Sequence, residues 1–133
     1  MTTRKQIRDA VQARVGPAVS AHNPDLEVFT FQKAMVQGYA GLVCVYYEEG
    51  ESEHSMSDRD DQAALTISIM LTDQDGVDDA LDAIGAVIES AIELDPFFGG
   101  LLAKCLITGW AYERDISKGW TGLRLTYTTQ FDA

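Results

Sequence analysis

The sequence predicts an α+β fold, a single mostly antiparallel sheet of four to five strands with two helices packed on one face. Two stretches place apolar residues at three- and four-residue spacing, which is typical of helices. At least four others are rich in β-forming residues, and they follow one another in pairs as hairpin strands do. Residues 1–133 are predicted to form one domain, which buries roughly two thirds of the surface of its unfolded chain.

The first predicted helix runs from Thr3 to Val15. Thr3 and Gln6 have the spacing of a capping box, and Gly16-Pro17 is expected to stop the helix. Ala18 to Pro24 is therefore expected to be irregular. The apolar face of this helix comprises Ile7, Ala10, Val11 and Val15.

The second predicted helix follows Asp73 and Asp75, either of which can cap it, and runs to about Leu94. Asp95-Pro96 ends it, because proline lacks an amide donor and restricts the residue before it. Phe97 to Leu101 is expected to be a short apolar link, at most one helical turn. The apolar stripe comprises Val77, Leu81, Ile84, Ile88 and Ile92.

Five stretches read as strands because they are β-rich, continuously apolar or alternating. They are Val28–Phe31, Leu42–Tyr47, Leu65–Leu71, Cys105–Glu113 and Trp120–Phe131. Leu42–Tyr47 is a continuous apolar run, which is typical of a central strand covered on both faces. The acidic stretch between the second and third strands, Glu48 to Gln62, is expected to be a long, solvated loop.

Composition excludes several classes of function. The net charge of -11 disfavours nucleic acid and anionic membranes as partners. The first residues lack the apolar core of a signal peptide, so a cytoplasmic site of synthesis is expected. Cys44 and Cys105 have no metal or redox spacing and are expected to be buried free thiols.

Charge is unevenly distributed along the sequence. Arg4, Lys5, Arg8 and Arg14 place four of the ten basic residues on the first predicted helix, whereas the middle of the chain is acidic. A molecule with one basic and one acidic region can attract copies of itself head to tail, and such contacts close into rings when the rotation permits.

The acidic loop is the strongest candidate for a chemical site, because Mg²⁺ and Ca²⁺ prefer carboxylate oxygens. The spacing of its acids does not match an EF-hand. The favoured interpretation is a solvated loop, and a metal site or ordering against a neighbouring subunit are the alternatives. The candidate metal ligands are Glu51, Glu53, Asp58, Asp60 and Asp61.

No motif for catalysis accompanies these segments. His22 and His54 are not near a recognisable nucleophile motif, and Gly99-Gly100 lacks the pattern of a phosphate-binding loop. We therefore expect a protein that is not an enzyme and needs no cofactor, with an effect of Mg²⁺ on assembly as an alternative.

The last two strands carry the aromatic residues Trp110, Tyr112 and Trp120. Trp110 and Tyr112, two apart on one strand, are expected to be core residues. Trp120 borders the polar connecting loop and is a candidate contact residue, because aromatics are enriched at interface hot spots. Arg114 and Asp115 are expected to form a surface ion pair with little effect on stability.

Read in order, these elements resemble the phage minor tail protein U family over nearly the whole chain. Residue-level similarity concentrates in Gly109-x-x-Tyr112-x-Arg114-Asp115, in Trp120 and Leu125-Thr126-Tyr127, and in Phe131-Asp132. The loop of the last hairpin departs from the family in having Ile116 and Lys118 in a position that is otherwise rich in aspartate.

The resemblance implies a tail terminator, a structural protein that forms a hexameric ring on the completed tail tube. Such a ring stops tube polymerisation at the tape-measure length and presents a surface for head–tail joining. Its implied partners are its own copies, the tail tube protein and the head–tail connector, with a siphovirus or prophage as source. The implied location is the virion tail, after assembly in the host cytoplasm.

Exposure and chemistry rather than the family motif suggest the contact residues. The candidates for subunit or partner interfaces are Arg4, Arg8, Glu51, Arg114, Asp115, Lys118 and Trp120. Two alternatives remain open at this point. One is another head–tail joining or tail completion protein, and the other is a small divalent-cation-dependent enzyme or ligand-binding domain that uses the acidic loop.

Overall fold

The computed structural model of the chain describes residues 1–34 and 39–133, and in these ranges it contains two α-helices and five strands. Helix α1 is Arg4–His22 and helix α2 is Val77–Glu93. The strands are β1 Val28–Phe29, β2 Gly41–Ser55, β3 Asp58–Thr72, β4 Lys104–Asp115 and β5 Trp120–Asp132.

The strands form one sheet in the order β1-β2-β3-β5-β4. Successive neighbours from β2 to β4 are antiparallel, whereas β1 runs parallel to β2 with Val28 beside Val43. The predicted α+β class is confirmed, with a mixed sheet because of β1. Both helices cover the same face, here called the helix face, and the opposite side is called the far face.

Helix α1 extends seven residues beyond the predicted end at Val15. Thr3 forms the predicted capping box, in which its hydroxyl oxygen accepts from the Gln6 amide at 3.1 Å. The predicted stop at Gly16-Pro17 is wrong. Pro17 lacks the amide that would bond the Ala13 carbonyl in a helix. Both residues are exposed, so solvent can satisfy that carbonyl. Val19 continues the fully buried stripe of Ile7, Val11 and Val15.

Helix α2 has the predicted apolar stripe and the predicted end before Asp95-Pro96. Its start differs, because the cap residue is Gly76 in a left-handed conformation, without a side-chain hydrogen bond. The Asp73 carboxylate instead accepts a hydrogen bond from the Thr121 hydroxyl at 3.0 Å. The expected helical turn after α2 is confirmed at Phe98–Gly100.

The acidic stretch Glu48 to Gln62 is a hairpin rather than the predicted loop. β2 and β3 remain paired to Ser55 and Asp58, and Met56-Ser57 makes the turn. A bulge between Tyr47 and Gly50 offsets the register within β2. Apart from Asp61, the hairpin is exposed on both sides, so its alternation carries no apolar signal that would identify strands in the sequence.

The core lies between the helices and the helix face of the sheet. Leu123, Leu125, Tyr127 and Phe131 point into it from β5, as predicted. Both cysteines are buried free thiols, but they lie on opposite sides of the sheet. Cys105 belongs to the core, whereas the Cys44 sulfur accepts from the Lys33 amide at 3.4 Å on the far face.

Candidate subunit interface

The two helices differ most in charge. α1 lies over β1 and β2 and carries four basic residues and one acidic residue. α2 lies over β3 and β5 and carries five acidic residues and no basic one. The two helices therefore present opposite charge, one towards each edge of the sheet. The acidic residues of α2 are Asp78, Asp79, Asp82, Glu89 and Glu93.

Strand β4 is an edge strand with aromatic side chains in solvent. Trp110 is 67% exposed and Tyr112 is 43% exposed, so the prediction that they belong to the core is wrong. They do face the helix side, opposite the buried Leu125 and Leu123. α2 lies over the neighbouring strand β5 rather than over β4, so only its side chains reach β4. Their rings pack edge to face at 5.6 Å.

Acidic side chains of α2 border this aromatic surface. The Tyr112 hydroxyl donates a hydrogen bond to Asp82, which together with burial raises the pKa of Tyr112 to about 12. Glu89 and Glu93 lie near Tyr127. Burial is the largest cause of the raised pKa of that phenol, and the two carboxylates add to it. We call this surface the acidic edge: Asp78, Asp82, Glu89 and Glu93 of α2 with Ile107, Trp110 and Tyr112 of β4.

Arg114 is the one basic side chain that bonds the acidic edge among the described residues. Its guanidinium lies 3.5 Å from the Asp78 carboxylate and donates to the Thr121 hydroxyl at 3.2 Å. The predicted ion pair of Arg114 with Asp115 is wrong, because consecutive residues of a strand point to opposite faces.

The opposite side of the molecule combines basic and aromatic groups. Arg8 and Phe31 line one surface cavity, together with Tyr46 and Glu48. Arg8 also borders an adjoining cavity of about 410 Å³, which Arg4 shares. Phe31 is 54% exposed and stacks on Phe29, over which the Lys33 ammonium lies at 5.3 Å. We call this surface the basic edge: Arg4, Arg8, Phe31 and Lys33.

The Arg8 guanidinium is incompletely bonded. Its Nε is buried and has no hydrogen-bond partner among residues 1–34 and 39–133. A buried donor without an acceptor costs about 1–3 kcal/mol, so Arg8 is held here at some cost in free energy. Arg14, by contrast, is occupied, because it pairs with Asp95 at 3.7 Å and lies over the Phe98 ring.

The turn between β4 and β5 is organised by Asp115. Its carboxylate accepts from the Ser117 hydroxyl at 2.7 Å and from the Lys118 amide at 3.1 Å. These hydrogen bonds, the first above all, hold the pKa of Asp115 below its usual value. Trp120 is half-buried and packs beside Gly122, across from Thr72 on the neighbouring strand. Asp115 and Trp120 thus shape the turn, while Lys118 is exposed.

The hairpin places one predicted metal ligand, Asp61, on a different face from Glu51, Glu53, Asp58 and Asp60. Asp61 lies beside Ser52 on the helix face, whereas Glu53 and Asp60 are paired on the far face, which Glu51 shares. Arg59 donates two hydrogen bonds to Asp61, at 2.8 and 2.9 Å, and these lower the pKa of its carboxyl. Among residues 1–34 and 39–133, no three His, Cys, Asp or Glu side chains are grouped to hold a metal ion.

The structure thus brings Arg4 and Arg8 together at one edge and places Arg114 at the other, with Glu51 on the hairpin. Sequence reasoning missed Phe31, Trp110 and Tyr112 as surface groups. Their signal is visible only when the order of strands is known. In the part of the chain that the structure describes, no helix has the length and apolar character needed to span a membrane.

Comparison with known proteins identifies a family and, separately, a likeness in fold. Residues 2–131 of the 133 match the family described as phage minor tail protein U. No curated protein sequence matches the chain significantly. Among solved structures, a chain from the virion of a native gene transfer agent particle is similar, with a TM-score of 0.57 and 11% identity. That match covers 94% of this chain and 96% of the other, and it concerns the fold alone.

Proposed function

The chain belongs to the phage minor tail protein U family and is a structural protein of the phage tail, and from that premise we propose that it is a tail terminator. In this proposal, copies of the chain form a hexameric ring on the tail tube when the tape-measure length is reached. The ring ends tube polymerisation and then offers a surface for joining the head. The observation that carries the proposal is the family match over residues 2–131.

The distribution of charge supports the formation of a ring. A ring needs two different, complementary surfaces on each subunit, because each copy contacts the next head to tail. The acidic and basic edges flank the two helices and carry opposite charge. Similar edges repel, which disfavours a twofold dimer in which one edge meets itself.

The capping mechanism needs no chemistry. One face of the ring docks on the last layer of the tube, and the other face does not recruit another tube subunit. The protein therefore acts without catalytic residues and without a cofactor. Its proposed partners are the tube protein and the head–tail connector, and its proposed locations are the host cytoplasm during assembly and then the virion tail.

The long β2–β3 hairpin and the β4–β5 turn are the proposed contacts with these partners. Both project from the sheet, and they present exposed polar side chains that take no part in the core. We assign Glu51 to the hairpin contact, and Asp115, Lys118 and Trp120 to the turn contact. Arg4, Arg8 and Arg114 are assigned to the contact between subunits.

The proposal is tested by measuring mass and shape in solution. Light scattering with and without Mg²⁺, followed by electron microscopy, should give six-fold rings about as wide as the tube. Purified tubes that are polymerising should stop growing when the protein is added, and it should be found at one tube end. A protein that stays monomeric and leaves tube growth unchanged would refute terminator function. Binding to connectors alone would indicate a different joining protein.

A further inference from the structure

We infer that subunits join through their opposite edges, so that the acidic edge of one copy receives the basic edge of the next. This inference rests on the proposed ring and adds which surfaces make it. Its occupant is a second copy of this chain. The choice rests on the charges and exposed aromatics that the two edges carry.

The acidic edge has the shape and composition of a docking surface. Trp110, Tyr112 and Ile107 are exposed side by side, and soluble proteins seldom leave such a cluster in water. α2 forms a wall along one side of it, with Asp82 bonded to Tyr112. Because β4 is an edge strand, its outward backbone groups also lack a strand partner in the sheet.

The basic edge offers the matching groups. Phe31 supplies an exposed ring, and Arg8 supplies a guanidinium whose Nε has no partner in the described ranges. Glu48 lines the same cavity as both, and it accepts a hydrogen bond from Gln32 at 3.4 Å. Arg4, which lines the adjoining cavity, and Lys33, which lies over the Phe29 ring, add positive charge. In the inferred contact, Phe31 with its neighbouring cations therefore packs against Trp110 and Tyr112 with their neighbouring carboxylates.

Electrostatics selects this pairing over the alternatives. Two acidic edges placed together would oppose four carboxylates of α2 with another four, and among the described residues only Arg114 forms an ion pair with any of them. Two basic edges would repel in the same way. Only the heterologous pairing joins opposite charges, and it is the pairing that can close into a ring.

The experiment reverses one charge on each edge of the full chain. Asp82→Lys and Arg8→Glu, each alone, should lower the equilibrium constant for ring assembly at least about tenfold, because each places like charges at every contact. The double variant should regain assembly. The two single variants mixed in equal amounts should also form rings, since alternating copies join opposite charges at every contact of an even-numbered ring.

Matched controls separate the interface from general effects. Ala83→Lys adds a positive charge to α2 at an exposed position outside the acidic edge, and it should assemble like the wild type. Trp110→Ala should weaken assembly, whereas Leu106→Ala, which is 56% exposed on the far face of the same strand, should not. Glu89→Lys with Arg4→Glu provides a second pair in case Arg8→Glu fails to fold, which circular dichroism would reveal.

The outcomes distinguish this inference from the proposed function. If wild-type rings form and cap tubes while both single reversals assemble normally, the edge pairing is overturned and terminator function stands. If the wild type neither forms rings nor caps tubes, the function fails and the edge pairing fails with it. Rings from the mixed single variants, but not from either alone, would establish the pairing.

Discussion

α1 and α2 bury similar apolar stripes against the same face of one sheet, but they present opposite charges to solvent. α1 places Ile7, Val11, Val15 and Val19 in the core, and α2 places Leu81, Ile84, Ile88 and Ile92 there. Towards solvent, α1 is basic and α2 is acidic. The fold therefore uses the two helices equivalently, whereas any contact between copies must distinguish them.

The largest effect is expected where the helices are alike. Ile7→Ala and Ile88→Ala should each lower the free energy of unfolding by about 2–5 kcal/mol, because both side chains are fully buried and leave a cavity. Urea denaturation measures both values. Ala83→Ser, on the exposed side of α2, is the control and should change stability by less than about 0.5 kcal/mol. A loss confined to one helix would contradict their structural equivalence.

The second effect concerns the charges in which the helices differ. Raising ionic strength from about 0.05 M to about 0.5 M shortens the Debye length from roughly 14 to 4 Å and should weaken ring assembly about tenfold. Sedimentation at several salt concentrations measures this dependence. Combining Asp82→Lys with Arg8→Glu keeps opposite charges at the contact and should retain a similar salt slope. Assembly that strengthens with salt would indicate an interface dominated by apolar groups.

The third effect concerns how the helices begin. Thr3→Ala removes the capping box of α1 and should cost about 0.5–2 kcal/mol. Asp75→Ala should cost less than about 0.5 kcal/mol, since no side chain caps α2. Thr3→Ser keeps the oxygen acceptor and should restore most of the stability. Equal losses from Thr3→Ala and Asp75→Ala would show that the helices start alike after all.

The smallest effect is a pH dependence at the acidic edge. Folding raises the pKa of Tyr112 to about 12, chiefly through the hydrogen bond to Asp82, so the folded state holds this proton more tightly than the unfolded state. The resulting stability is present below the usual pKa of 10.0 and is lost as pH rises towards 12. Over this range the wild type should lose more stability than Tyr112→Phe in thermal unfolding. Identical profiles would exclude the coupling.

Local patterns in the sequence predict the buried parts of this fold. The stripes of both helices, the alternation of β5 and the caps at Thr3 and Asp95-Pro96 follow from spacing alone, because burial repeats with the period of each element. The strands of the hairpin from Glu48 to Gln62 do not follow from spacing, because nearly all of the hairpin's side chains are in solvent. The helix past Pro17 was also hidden, because an exposed proline costs a helix less than a buried one.

The candidate interface depends on information that is absent from local patterns. Trp110 and Tyr112 alternate like core residues, and their exposure follows from β4 being last in the order of strands. Arg114 was expected to pair with its neighbour Asp115, but its partner Asp78 is distant in sequence. The sequence alone shows that α1 is basic. That the acidic residues of α2 border the exposed aromatics of β4 follows only from the position of α2 in the fold.

The two cysteines have a consequence for a protein that leaves the cell. Cys44 in β2 and Cys105 in β4 lie on opposite sides of the sheet with two strands between them, a separation of roughly 14 Å at the usual strand spacing. This is far beyond the reach of a disulfide. Burial also raises the pKa of both thiols, that of Cys105 to about 11, which keeps them protonated and unreactive. The proposed passage from a reducing cytoplasm into oxidising surroundings should therefore leave the subunit chemically unchanged.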